Sequence, residues 1–415
     1  MKVCLLNTID HVGGAARACR RLYEGLLNSG VDANLLVRER EAPGDSVAVC
    51  GSRFGGWLRA MLDELLLYRY PSRRNHNFSA AFMPAGAIKK AIEFNPDVLH
   101  LHWVPKGFVR IEDLQRITVP LVWTMHDFWP FTGGCHLPGD CNKYQESCGA
   151  CPVLGSTEDN DLSRSVWKRK EASYPLDKMT IVAPSQWLAE QARSSSLFNR
   201  CGIEVIPNGL DTELYSPGNK YSARTSLKLP LERKIILFGG KSVLSDPNKG
   251  ADLLWSALEA LPLQIKKHSL VVVFGDEHNE RPPPTDLDVL NYGIVDDESR
   301  VVDLYRASDV LAMTSRQENL PNMIAEGMSC GLPCVAFSVG GIPEQIRHRR
   351  NGCLVEPFDI SAMSSEISWL LSYEGQQKSL AAQARDDAVG QYSMGKVSRQ
   401  HIALYEKVVN SCQEP

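Results

Sequence analysis

The sequence predicts two α/β domains, each a doubly wound parallel sheet covered by helices, and three observations predict it. The opening stretches "KVCLLN", "GGAARACRRLYEGLLNSG" and "DANLLV" read as strand, helix, strand, with a Gly turn opening the helix and Gly30 closing it. The same grammar returns as "DVLHLHW", "LVWTMHD", "TIVAPS" and "IEVIPNG", and again after residue 230 as "KIILFGG", "SLVVVFG", "DVLAMTS" and "PCVAFS". Short apolar runs that end in polar or Gly residues are what strands buried on both faces of a parallel sheet look like. Third, "NGLDTELYSPGNKYSARTSLKLPLERK" lies between the two series, is rich in polar and turn residues, and is expected to be the linker.

The expected division is 1–212 and 218–390, followed by 391–415 as a C-terminal helix that packs back on the first domain. A chain of 415 residues has room for two such cores. In doubly wound sheets ligands sit at the carboxyl ends of the strands, so a cleft faced by both domains is the expected place for a site.

Composition narrows the function. A formal charge of -4 shows no global basic footprint, which argues against nucleic acid as the main partner. No apolar run reaches the roughly 18 residues that a membrane-crossing helix needs. The start, "MKVCLLNTIDHVGG", has no long apolar region followed by a cleavage site and reads as a first strand, so the expected location is the cytoplasm. Twelve Cys are too sparse for a disulfide scaffold, and Cys4, Cys19, Cys50, Cys201, Cys330, Cys334 and Cys353 sit in apolar surroundings as small core residues.

The chemistry gathers in "TSRQENLPNMIAEGMSCGLPCVAFSVGGIPEQI". Two carboxylates, Glu318 and Glu326, stand eight positions apart around Asn319, Leu320, Pro321 and Asn322. A helix beginning at Pro321 offers N–H groups near Asn322 and Met323 to a phosphate without a metal, and an ionised acid beside them accepts hydrogen bonds from a diol. "FGGKSVLSDPNKGADLL" places Lys241 and Lys249 on a loop where one or both could neutralise a pyrophosphate. Gly13 and Gly14 let backbone approach an anion across the expected cleft. Each feature alone also fits a solvated loop; together they favour a nucleotide diphosphate.

"PSQWLAE", "VIPNGLDTELYSP", "DPNKGADLL", "YRASDVLAMTSRQENLPNMIAEGMSCGLPCVAFSVGGIPE" and "GCLVEP" resemble, in matching order over nearly the whole chain, the retaining glycosyltransferase family 4 of the GT-B fold. The resemblance implies a hexosyltransferase with two Rossmann-like domains facing a cleft and a nucleotide-sugar donor. It implies an E-x7-E motif at Glu318 and Glu326: Glu318 at the donor sugar, Glu326 at the ribose, and Lys249 at the pyrophosphate. Lys241 stands near the place of the family's usual Arg, with extra residues before "DPNKG". His126, at the end of "LVWTMHD", would lie next to the donor sugar; a His at a strand end otherwise reads as a structural hydrogen-bond partner, with His102 as a rival and Asp127 as an assistant on the acceptor side. Transfer in this family is front-face attack within an ion pair, so no protein nucleophile and no catalytic cofactor are required. The acceptor would be a glycan or lipid-linked acceptor of surface polysaccharide biosynthesis.

"CHLPGDCNKYQESCGACP" supplies Cys135, Cys141, Cys148 and Cys151, which read either as a structural zinc loop or as reduced or redox cysteines. The resemblance is especially to colanic-acid-type and similar polysaccharide glycosyltransferases, which carry a Cys-rich insert here. "RFGGWLRAMLDELLLYRYPSRRN" sets Trp57, Leu58, Met61, Leu62, Leu65 and Leu66 among Arg53, Arg59, Arg69, Arg73 and Arg74; it is either a core helix or a peripheral contact with an anionic inner membrane. Asp286 and Asp288 form a D-x-D after three prolines and are read as loop residues, not as a metal site. A nucleotide-sugar epimerase of the same fold and a non-catalytic nucleotide-sugar-binding subunit are the alternative functions.

Overall fold

The computed structural model of the chain describes residues 1–40, 47–73, 78–277 and 286–412. Arg74 and the prolines of "RPPPTD" therefore lie outside the described residues. The chain divides into two compact units, Met1–Gly209 with Met394–Pro415, and Leu210–Ser393.

The first unit is built on seven strands: β1 (Lys2–Ile9), β2 (Asp32–Glu39), β3 (Val47–Val49), β4 (Val98–Leu101), β5 (Leu121–Thr124), β6 (Met179–Ala183) and β7 (Gly202–Val205). Their order is β3-β2-β1-β4-β5-β6-β7, with every pair parallel. The run Val3–Leu6 is fully buried, as expected of a central strand covered on both faces. The first helix, Gly14–Asn28, buries Cys19, Leu22, Tyr23 and Leu26, the spacing of one helical face. The C-terminal helix Met394–Ser411 adds Val397, Leu404 and Tyr405 to that same core. Gly25 makes room for it, since a Cβ there would meet Met394 and Ser398.

The second unit is built on six strands: β8 (Lys234–Gly239), β9 (Ser269–Phe274), β10 (Asp288–Asn291), β11 (Val310–Met313), β12 (Cys334–Phe337) and β13 (Cys353–Val355). These are ordered β10-β9-β8-β11-β12-β13, again all parallel. Two expectations change here. The polar stretch 208–234 is not a free linker: it forms helix Lys220–Ser226, and Leu210, Tyr215, Ala223, Leu227 and Leu229 are buried in the core of the second unit. Asp288 opens an edge strand and is not a loop residue.

In both sheets the strand order reverses between the first strand and a later neighbour, at β1/β4 and at β8/β11. Ligands of doubly wound sheets sit beyond the carboxyl ends of the strands at such points. Gly13 follows β1, His102 follows β4, Lys241 and Lys249 follow β8, and Glu318 follows β11. Among the described residues, no helix is long and apolar enough to cross a membrane.

Candidate active site

In the second unit, the loops after β8 and β11 are joined along their length. Thr314 Oγ1 donates toward the Lys249 and Gly250 carbonyls at 3.2 and 2.9 Å. Arg316 N donates to Asn248 O at 2.8 Å, and Asn248 Nδ2 donates to Gln317 O at 2.9 Å. Gly250 permits this approach: its φ is 68°, and a Cβ would run into the Thr314 carbonyl. The joined loops bring Lys249 Nζ to 2.7 Å from Glu318 Oε1. Burial alone would push the Lys249 ammonium down, but the Glu318 carboxylate, with Asp246 behind it, holds it above the usual lysine value. The cation assigned to the pyrophosphate and the acid assigned to the sugar are thus paired with each other.

Glu318 is held from the other side by the "VGG" turn. Gly341 N donates to Glu318 O at 3.1 Å, and Gly340, at φ 58°, lies so close that a Cβ would strike that same carbonyl. The helix that follows runs Asn322–Ser329; Pro321 is its cap residue, at φ -64° and ψ 122°, and not part of its first turn as expected. No side chain caps it. Glu326 lies inside this helix at 1% exposure, and its Oε2 accepts the Tyr305 hydroxyl at 2.8 Å. Leu320 is packed into the core, whereas Asn319 and Asn322 are half-buried at the loop and helix start. Lys241 is exposed and takes no part in the Lys249–Glu318 pair.

In the first unit, Gly13 caps the first helix at φ 101° and ψ 161°, a conformation open chiefly to glycine, and Gly14 is that helix's first residue. His126 follows β5, with its Nε2 3.0 Å from His102 Nδ1 and the two rings stacked at 5.2 Å. The two histidines that compete in the sequence are therefore neighbours. Burial lowers His126 to about 4 against the opposing field of Asp127, so it is neutral at neutral pH.

Asp127 is fully engaged: Oδ2 lies 2.7 Å from His136 Nδ1 and accepts Trp103 Nε1 at 2.9 Å, while Oδ1 accepts Trp129 N at 2.8 Å. Burial would raise its carboxyl, but His136, the Trp129 N–H and Trp103 hold it below the usual carboxylate range. His136 and Tyr305 were missed by sequence reasoning. Both stand in quoted stretches, Tyr305 opening "YRASDVLAMTS" and His136 following Cys135 in "CHLPGDC", but each matters through a partner that the fold supplies.

Cys135, Cys141, Cys148 and Cys151 line one small cavity of about 10 Å³, and all four are free thiols. Gly133 N donates to Cys148 Sγ at 3.1 Å. Lys170, fully buried over the Trp129 ring, donates to the Trp129 and Thr132 carbonyls beside them. Burial is the main influence on the thiols and raises Cys135 and Cys151, with Cys148 pushed up to about 12. Among the described residues, no group of three or more His, Cys, Asp or Glu is arranged to hold a metal ion, which includes Asp286 and Asp288.

A family model described as "Glycosyltransferase Family 4" matches residues 12–214, and one described as "Glycosyl transferases group 1" matches residues 233–373. The chain is 30% identical over 312 residues to a D-inositol 3-phosphate glycosyltransferase of Xylanimonas cellulosilytica, covering 70% of this chain and 67% of that one. A protein of the same name from Acidothermus cellulolyticus is 28% identical over 309 residues, covering 71% and 63%. Among solved structures, sucrose-phosphate synthase from Thermosynechococcus elongatus superposes with a TM-score of 0.71 at 19% identity, covering 99% of both chains. Anabaena HepE in complex with UDP and glucose gives 0.67 at 18% identity, covering 98% of this chain and 100% of that one. Those two likenesses are of fold. Two parallel-sheet units, each matched by its own family model, and the 30% identical relative place this chain among the family 4, group 1 glycosyltransferases: it is a glycosyltransferase of the GT-B fold.

Proposed function

We propose that the protein transfers a hexosyl group, with retention, from a nucleoside-diphosphate sugar to a glycan or lipid-linked acceptor in surface polysaccharide biosynthesis. The observation that carries this reading is the Lys249–Glu318 pair, 2.7 Å apart, just ahead of the helix Asn322–Ser329 that contains Glu326. That arrangement offers a cation and helix N–H groups to a diphosphate and two carboxylates to hydroxyls. In the proposed step the bond from the anomeric carbon to the diphosphate oxygen breaks, with its electron pair leaving on the diphosphate. The acceptor oxygen bonds to the same face, and its proton passes to the leaving phosphate. Lys249, with Lys241 as a second cation, meets the charge that grows on the diphosphate, so no catalytic metal is needed.

Glu326 is assigned to the ribose, with Tyr305 orienting it. Glu318, together with Asn319, Leu320 and Asn322 of its loop, is assigned to the donor sugar. Gly13 and Gly14 offer backbone N–H groups to an anion, and His126 contributes a neutral imidazole toward the sugar. The solved HepE structure with UDP and glucose supports a uridine donor as the first to test. The curated relatives' name favours a second acceptor reading, a phosphorylated polyol. For the Cys loop the proposal is one closed structural zinc, supported by the shared cavity; the thiols would have to draw in from the positions they hold.

The deciding experiment is a screen of nucleoside-diphosphate sugars for binding and slow hydrolysis, followed by transfer to glycan and polyol-phosphate acceptors with the anomeric configuration read by NMR. Binding of no such donor overturns the reading. An inverted product overturns the retaining mechanism.

A further inference from the structure

The helix Arg53–Glu64 and the turn Leu65–Arg69 after it carry apolar side chains on both faces. The inward face mixes them with polar and small residues. Asp63, fully buried, accepts the Ala81 and Phe82 backbone N–H groups at 3.2 and 2.9 Å. Gly56 is buried against the Arg38 side chain, and Arg59 Nε donates to Gly107 O at 3.3 Å. Leu67 is buried in the core of the first unit with Leu66 packed against it, and Leu58 and Leu62 are half-buried. The outward face carries Phe54, Trp57, Met61, Leu65 and Tyr68, spaced three, four, four and three residues apart, with Phe54 71% and Tyr68 74% exposed. The segment therefore packs on the core through Leu66 and Leu67, as a core helix would, but leaves a continuous apolar stripe on its outer face that such packing does not cover.

Charge says what medium the stripe meets. Arg53 stands exposed at its start, and Arg69 and Arg73 at its end. The nearby acids are already committed, Asp63 to backbone, Glu64 to Lys106 and Glu39 to Arg53. Aromatic rings near both ends, an aliphatic middle and arginines outside them are the composition of a segment lying in the headgroup region of an anionic bilayer.

We infer that this face docks the protein peripherally on an anionic lipid surface, with Phe54, Trp57, Met61, Leu65 and Tyr68 inserted and Arg53, Arg69 and Arg73 on the headgroups. Binding is read without donor or acceptor, so it stands apart from the transfer reaction. The test is cosedimentation of the full chain with phosphatidylglycerol-containing vesicles against pure phosphatidylcholine vesicles, at low and high salt. Wild type should sediment with the anionic vesicles, less so in high salt. The pairs Trp57→Ser with Tyr68→Ser, and Arg53→Gln with Arg69→Gln, should each weaken partitioning by roughly tenfold. Their far-UV circular dichroism should not change, because all four side chains are exposed. No sedimentation with anionic vesicles, or sedimentation that neither pair alters, overturns the inference. So does a dimer that dissolves in the Trp57, Tyr68 variant without any vesicle binding, which would give the face to a second copy.

Discussion

Lys249 and Glu318, 69 residues apart in sequence, form one ion pair at 2.7 Å, and neither side chain is more than about a quarter exposed. Each therefore holds the other in place, and the proposed donor site would include both. Lys249→Ala should cut turnover by about 10²-fold or more, because the charge it meets grows toward the transition state. A loss confined to KM would show that Lys249 binds ground state and transition state alike. The same substitution strands Glu318 and should cost about 1–3 kcal/mol of stability, read by calorimetry. Glu318→Ala should lower turnover more than it lowers affinity for free nucleoside diphosphate.

Glu326→Ala should weaken donor affinity by about 1–3 kcal/mol, through loss of an acceptor for hydroxyls. Tyr305→Phe should weaken it less, by about 1 kcal/mol, since the carboxylate stays but its orienting hydroxyl is gone. Titration calorimetry with a nucleoside diphosphate separates them. Unchanged affinity in a folded Glu326→Ala protein would remove Glu326 from the donor site.

Gly340→Ala should disturb the same site without touching a charged group. Its φ of 58° and its contact with the Glu318 carbonyl leave no room for a methyl. The expected cost is about 1–3 kcal/mol of stability, with turnover falling alongside. An active enzyme of wild-type stability would show that the turn can open freely.

Acid should destabilise the first unit before carboxylates are titrated. Burial lowers His401 and His126 to about 4, and drives His100 and His102 well below the usual value. Below about pH 6.5 the unfolded chain takes up protons that the folded unit refuses, so stability falls as pH drops from about 6.5 toward 4, where the His401 and His126 contributions level off. His401, buried on the inner face of the C-terminal helix, contributes up to about 3 kcal/mol of this loss. His401→Gln should flatten the dependence of the unfolding temperature over that range; an unchanged slope would refute the assignment.

The Cys loop gives an elemental test. Zinc at one equivalent in protein purified under reducing conditions, lost in Cys148→Ser with Cys151→Ser while nucleotide affinity is spared, is the expected result. Absence of zinc with four freely titrating thiols would leave ordinary cysteines around a small cavity.

The central strands were legible because a strand buried on both faces must be apolar throughout, whatever its neighbours. β8, β9, β11 and β12 carry that mark along nearly their whole length, and β1, β4, β5 and β6 carry it apart from single polar positions such as Asn7, His100, Thr124 and Thr180. The strands that escaped notice, β3, β10 and β13, are all sheet edges of three or four residues, with one neighbour each and too short a run to show a period. The acid pair and the lysine loop were likewise legible, since local spacing around a helix start carries their chemistry.

What only the tertiary structure decided are the partners. That Lys249 meets Glu318, that Glu326 is shut in against Tyr305, that Asp127 is claimed by His136, and that helix 53–64 turns an apolar face outward depend on contacts between segments far apart in the chain. Apolar periodicity states that a face exists, but which way it points is set by what lies underneath. Here the side turned inward carries Asp63, whose carboxylate accepts the Ala81 and Phe82 backbone N–H groups that would otherwise be buried unsatisfied.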